Sequence, residues 1–273
     1  MKAIAIVGSG LPAVLAKLEF KSAEMFTSTR SEKWRRKRAW RGFGVNYLDK
    51  PMGLPCKPVR VITHMDYQPV TEDGLNMYAV KSGSKPDIPF GEVMGHVPTG
   101  WPDIQVNFGL TPTKIDTKEN TITFHGQDPW EYTSIIWTDP LTDLLRVLGL
   151  NQGFDVPKDF PSRPVFVRVT IRPPDAPFGG DVYYVNYLSN PSVACHRFCD
   201  KDGERHYEGL TMMGSIPHKR TTPGRMSHSP VAAGVMKELQ EQGIYCIGEV
   251  ARWSHDETLT RTWERLQRLR EVV

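Results

Sequence analysis

An apolar run, Ile4-Ala5-Ile6-Val7, leads directly into Gly8-Ser9-Gly10-Leu11-Pro12-Ala13, and this junction narrows the fold more than any other part of the chain. After the turn, apolar residues at 11, 14, 15, 18 and 20 keep the spacing of a helix packed on a sheet, and 25–29 (MFTST) reads as a second strand. The unit is therefore strand, glycine turn, helix, strand, and it predicts an α/β fold. Each position of the GxGxxA pattern has a physical task. The first glycine makes the tight turn, the second lets a pyrophosphate approach the backbone, and the small third residue lets helix and strand pack closely. The helix N-terminus then faces an anion with N–H groups and a favourable dipole. Alone, the pattern also fits an ordinary glycine turn. Its place after an apolar strand and before an amphipathic helix is what favours a nucleotide.

The rest of the chain supplies more strands than helices. Residues 30–60 are basic, then rich in Gly and Pro, and are expected to be loop. Short strands are predicted at 59–64, 75–80 and 104–108, with mostly turn over 82–101. Further β segments follow at 113–116, 121–125 and 134–138, then a brief helix at 143–148. Strongly alternating strands are predicted at 164–171 and 181–188. A helix over 229–242 and a buried strand over 244–247 come next. The last helix is expected to begin near Ser254, where Ser254-x-x-Glu257 matches a capping box. There is no internal repeat.

Composition excludes several classes. The four cysteines, Cys56, Cys195, Cys199 and Cys246, are too few and scattered for a disulfide framework in 273 residues. Cys195-His196-x-x-Cys199 lacks a second pair at zinc-site spacing, so free thiols are expected and no metal. No stretch reaches the ~18 uninterrupted apolar residues of a membrane helix. The opening MKAIAIV is cut by Gly-Ser-Gly-Leu-Pro before the h-region of a signal peptide is complete. The expectation is a cytoplasmic protein with no membrane partner.

Two later segments match the glycine turn. Residues 114–140 (KIDTKENTITFHGQDPWEYTSIIWTDP) hold a hairpin, an acidic-aromatic pair and a strand ending in a Thr-x-Pro turn. Residues 244–259 (IYCIGEVARWSHDETL) hold an apolar strand, a glycine, small and aromatic residues and a helix start. With the N-terminal turn, and in this order, they resemble the amine oxidase and UDP-galactopyranose mutase-like flavoproteins. The resemblance implies a two-dinucleotide-binding (Rossmann-like) FAD fold with an inserted antiparallel β substrate region. The FAD-binding domain would span 1–154 and 230–273, and the substrate region 155–229.

It also implies residue roles. Gly8, Ser9, Gly10, Leu11, Pro12 and Ala13 would cradle the FAD pyrophosphate, and Thr113, Lys114 and Ile115 would lie at the adenine end. Thr138, Asp139 and Pro140 would pass near the cofactor where their strand ends. Gly248 and Glu249 would sit by the ribityl phosphate, with Trp253 close by. Asp256, Glu257, Thr258 and Leu259 would present a helix N-terminus to the flavin's pyrimidine edge. There are departures. Ser28-Thr29-Arg30 stands where the family has a ribose-binding acid, and Arg30 leaves a 2′-phosphate open. Glu249 replaces a commoner Arg or Asp, and the chain is short for the family, so its substrate region is trimmed.

Charge is concentrated in one place. Residues 30–41 (RSEKWRRKRAWR) carry seven basic side chains and one acid, a net +6 in a chain of net +3, so the remainder sums to −3. Lys33, Trp34, Arg35, Arg36, Lys37, Arg38, Trp40 and Arg41 combine phosphate-neutralising cations with aromatics that stack on unpaired bases. The segment reads as a DNA contact, as a solvated loop anchored by its tryptophans, or as a contact to FAD phosphates. For catalysis the candidates are His64 as base, Arg197 as anion contact, and Tyr184, with Tyr183 and Tyr187 on the opposite face of the same strand. These residues equally suit core packing.

The functional expectation is an FAD-dependent oxidoreductase or lyase acting on the C–N bond of an amine or amino-acid group. Small flavoproteins of this kind resemble those with which phages build hypermodified thymines, so an amino-acid adduct on thymine in DNA is the boldest substrate. The alternatives are a UDP-galactopyranose mutase-like isomerase and a non-catalytic flavin-binding module.

Overall fold

The computed structural model describes residues 3–31, 47–66, 91–176, 182–188, 197–209, 219–227, 229–254 and 257–273. Its first layer is a five-stranded parallel sheet. At its centre β1 (Ile4–Val7) pairs on one side with β2 (Glu24–Thr27) and on the other with β9 (Ser134–Trp137). Outside these lie β5 (Asn107–Phe108), beside β2, and β15 (Ile244–Cys246), beside β9. The order is β15-β9-β1-β2-β5, so both chain ends build one sheet.

A sheet covered on both faces needs apolar residues of both parities, and β1 and β9 have them. Ala5, Val7, Ile135 and Trp137 face one cluster, while Ile6 and Ile136 face the other. On the Ile6 side pack α1 (Leu11–Glu19) and the C-terminal α6 (Leu259–Arg270), which contributes Leu266 and Leu269. Lys17 ends α1 by donating its Nζ to the carbonyls of Lys21 (2.8 Å) and Ala23 (2.5 Å). On the opposite side lie α2 (Leu141–Val147) and α4 (Pro230–Glu241). So does the three-stranded meander of β6 (Pro112–Asp116), β7 (Thr121–Phe124) and β8 (Trp130–Glu131). Phe26 of β2 stacks on Phe124 of the meander, with ring centroids 4.6 Å apart.

The second layer is a seven-stranded sheet in the order β14-β10-β13-β12-β11-β3-β4. Its strands are β3 (Cys56–Asp66), β4 (Gly91–Pro98), β10 (Ser162–Ile171), β11 (Val182–Leu188), β12 (Arg197–Lys201), β13 (Glu204–Gly209) and β14 (Lys219–Met226). Every pairing is antiparallel except β11 with β3. The sheet therefore takes two strands from chain that precedes 155–229. A short helix α3 (Val156–Asp159) leads into β10, and the Ser229 Oγ that caps α4 donates to the Asp159 carbonyl at 2.5 Å.

Three sequence expectations are corrected here. Residues 91–98, expected as turn, form β4, because pairing with β3 along its length outweighs the local Gly and Pro signals; an edge strand tolerates Pro98. Residues 56–58, expected as loop, open β3 ahead of the strand predicted from 59. The final helix begins at Leu259, capped by the Thr258 side chain, which accepts from the Arg261 N–H at 3.2 Å. The Ser254–Glu257 capping box does not form, because the Glu257 carboxylate is taken by arginines. The strand expected at 75–80 lies outside the described residues.

Candidate functional site

From β1 the chain crosses through α1 to β2 on one side, and it later returns to β9 on the other. The strand order thus reverses between β1 and β9, and in open parallel sheets the crevice beyond such a reversal is where ligands bind. Three separate segments close on that point. Gly8 follows β1 with φ +142°, and a Cβ there would lie 2.0 Å from Thr138 Oγ1. Thr138 follows β9 and donates both its N–H (2.9 Å) and its hydroxyl (3.0 Å) to the Val7 carbonyl. The Gly8 N–H donates to the Phe26 carbonyl at 3.0 Å, so the turn is tied to both neighbouring strands. Gly248 follows β15 with φ +93°, and a Cβ there would meet Pro12 Cγ at 2.8 Å. It opens the short helix α5 (Glu249–Arg252).

Gly10 differs from the other two. It is the N-cap of α1, with an ordinary extended backbone (φ −84°, ψ −179°) and no side-chain cap. A Cβ there would touch only Pro12 Cδ, at 3.4 Å. Folding therefore does not require glycine at position 10, and its missing side chain leaves the helix N-terminus open to close approach. That suits a dinucleotide pyrophosphate through a positive dipole end with no acid in the first turn; Pro12 supplies no N–H there, and the Ala13 N–H is taken by the Gly10 carbonyl at 3.1 Å. Ala13, the small third residue, is fully buried in the cluster beneath. The residues present fit the group.

The other expected cofactor residues are distributed as follows. Ser28 and Arg30 are exposed just beyond β2, where Gly109 and Leu110 donate to the carbonyls of Thr29 and Thr27. Thr113, Lys114 and Ile115 lie on β6, where Ile115 is core, Thr113 donates to the Thr123 carbonyl and Lys114 pairs with Asp116. Glu249 sits half-buried in α5, in the turn after Gly248. The indole of Trp253 is packed edge-on to Phe160 (5.7 Å) and donates to the Pro161 carbonyl at 3.3 Å, fastening this motif to the start of β10. Glu257 is buried between Arg252 (3.3 Å) and Arg265 (3.0 Å). Burial, with the nearby Arg265 charge, lowers the pKa of Arg252 from its ordinary value. Leu259 packs on the α1 cluster. Asp256 and residues 33–41, including every proposed DNA-contact side chain, lie outside the described residues.

On the second sheet, His64 pairs in register with Asn186, Tyr184 with Asp200, and Tyr187 with Arg197. Arg197 is buried and held by Glu208 through Nε (2.6 Å) and Nη2 (2.5 Å). The opposite parity of Tyr183 and Tyr184 is observed. Tyr183 joins an apolar cluster with Val61, Val185 and Cys199 and donates to Asp202 at 2.7 Å. Burial, followed by that hydrogen bond, raises its pKa. Burial also pushes the Cys199 and Cys246 thiols up to about 12. Tyr184 lies on the other face, beside Phe198, with Asp200, Arg205 and Tyr207 around it. The sequence reading did not include these last four residues. Asp202-Gly203, with φ of 48° and 77°, is the two-residue hairpin turn that would have shown where they lie.

No protein-family model and no curated protein matches the sequence. Solved structures match by fold. Reduced UDP-galactopyranose mutase superposes with a TM-score of 0.65 at 11% identity, covering 100% of this chain and 94% of the other. A CLA-producing fatty acid isomerase from P. acnes gives 0.56 at 9% identity, with 98% of each chain covered. The 2,6-dihydroxypyridine-3-hydroxylase from Arthrobacter nicotinovorans gives 0.50 at 10%, covering 99% and 83%. The mixed α/β architecture, one parallel sheet joined to one largely antiparallel sheet, is therefore shared with these proteins.

Proposed function

We propose that this chain is an FAD-dependent oxidoreductase that acts on a C–N bond of an amine or amino-acid group. The observation that carries the cofactor half is the crevice at the β1/β9 reversal. There two glycines are demanded by the fold, while Gly10 is left free for ligand approach. The mutase and hydroxylase that share the fold support redox or mutase chemistry at such a site.

FAD held in this crevice would supply a hydride acceptor for oxidation of a neutral amine at its α-carbon. The chain's own contribution is positional. The N-terminus of α1 would hold the pyrophosphate, and Thr138 donates to the Val7 carbonyl, so that this acceptor would not meet the anion unpaired. The amine specificity rests on the sequence resemblance, and the thymine-adduct substrate on that resemblance together with the basic 30–41 segment. A second reading, a mutase-like isomerase, is favoured by the full-length fold likeness to reduced UDP-galactopyranose mutase.

One experiment separates the readings. Anaerobic bleaching of the flavin by an amine, or by an amino-acid-modified thymine in DNA, is the expected result. Interconversion of UDP-galactopyranose ring forms after dithionite reduction, with no bleaching by amines, would replace it with the isomerase. A flavin inert to both would leave the non-catalytic module.

A further inference from the structure

One face of the seven-stranded sheet carries an aromatic row with an unpaired cation at its end. Phe198 on β12 lies directly across from Tyr207 on β13, and Tyr207 directly across from Arg168 on β10. The rings of Phe198 and Tyr207 are 6.1 Å apart, and Tyr184 continues the row 6.0 Å from Phe198. All are at least partly covered, and Tyr184 is nearly closed off.

Two neighbouring arginines on this sheet have carboxylate partners. Arg197 has Glu208, and Arg205 has Asp200 through both carboxylate oxygens (2.5 and 2.6 Å) while its guanidinium lies 4.3 Å from the Phe198 centroid. Arg168 differs from both. Its Nε is shut off from solvent and has no hydrogen-bond partner, and among the described residues it forms no ion pair. A buried guanidinium N–H without an acceptor is costly, and such groups are rarely left unmatched. The sheet supplies carboxylates for two neighbouring arginines and none for this one.

We infer that this face binds a flat aromatic or heteroaromatic ring bearing a carboxylate or phosphate, with the ring on Tyr207, beside the Phe198 that Arg205 covers, and the anion on Arg168. The charge complementarity is specific. A planar fork of donors suits an oxyanion, and aromatic faces next to it suit a ring rather than an aliphatic chain. That the occupant is the substrate rests on the flavin reading; that it binds does not.

The test is calorimetric titration of the purified full-length chain with four probes: benzoate and thymidine monophosphate, and their neutral counterparts benzamide and thymidine. The charged members should bind at least roughly tenfold more tightly, the scale of one charge-assisted hydrogen bond. The better of benzoate and thymidine monophosphate identifies the anion as carboxylate or phosphate. Arg168→Gln should erase the charged-over-neutral preference with an unchanged melting temperature. Tyr207→Leu should weaken charged and neutral rings alike. Equal affinity for charged and neutral probes would overturn the inference. So would a preference that survives Arg168→Gln, or no binding of either anion at millimolar concentration. Visible absorbance recorded on the same samples keeps the two readings apart: a colourless protein that still selects anions sinks only the flavin, and a yellow protein that ignores them sinks only this site.

Discussion

Arg205→Ala is expected to destabilise the protein by about 3–5 kcal/mol, the cost of stranding one member of a buried ion pair. Asp200 has no exposed surface, and both of its oxygens are taken by the Arg205 Nε and Nη2. Without them the carboxylate has no water to turn to. Arg205→Lys should recover less than half of the loss, because a single ammonium replaces a planar two-donor fork. The pair Arg60–Glu92, on the same sheet, is the control. Both side chains are about half exposed, and Arg60→Ala should leave the unfolding midpoint unchanged. Urea unfolding of the three variants checks the ordering. Equal effects for Arg205→Ala and Arg60→Ala would show that burial does not set the energetics of this sheet.

The second large effect separates two glycines of one motif. Gly8→Ala combines a backbone at φ +142° with a Cβ placed 2.0 Å from Thr138 Oγ1, so the β1–β9 junction must open. The expected loss is on the order of 3 kcal/mol or more, from strain together with overpacking. Gly10→Ala has an ordinary backbone and one contact at the edge of the normal range, and should change stability by less than about 1 kcal/mol. Thermal unfolding followed by circular dichroism distinguishes them. If Gly10→Ala were as damaging as Gly8→Ala, position 10 would be structural and the argument for ligand approach would lose its basis.

What the sequence revealed follows from how locally each feature is encoded. The crevice was legible because its first turn, helix and flanking strand occupy fewer than thirty consecutive residues, and because Thr138 and Gly248 each follow an obvious apolar strand. The helix at 259–270 was displaced by a capping-box signature whose acid, Glu257, is used instead by Arg252 and Arg265. Strand β4 was illegible because its glycines and Pro98 read as turn, and only pairing with β3, some thirty residues earlier, overrides them. The β12–β13 hairpin could have been read from Asp202-Gly203 and was not. The Arg168 row lies beyond any sequence reading, since it requires the register of three strands whose order along the chain differs from their order in the sheet. Glu208 comes opposite Arg197 through the β12–β13 hairpin register.

FAD held at the β1/β9 reversal would travel with the purified chain, and one measurement reads it directly. The purified chain is scanned in the visible range, then denatured, and the released chromophore is identified by mass. A flavin absorbance spectrum and FAD in near-stoichiometric amount are expected from the wild type. None is expected from Gly10→Asp, whose new carboxylate would occupy the cradle and repel the pyrophosphate while the protein remains folded. A colourless wild type that also fails to take up added FAD, or a Gly10→Asp variant that keeps its full complement, would contradict FAD binding there.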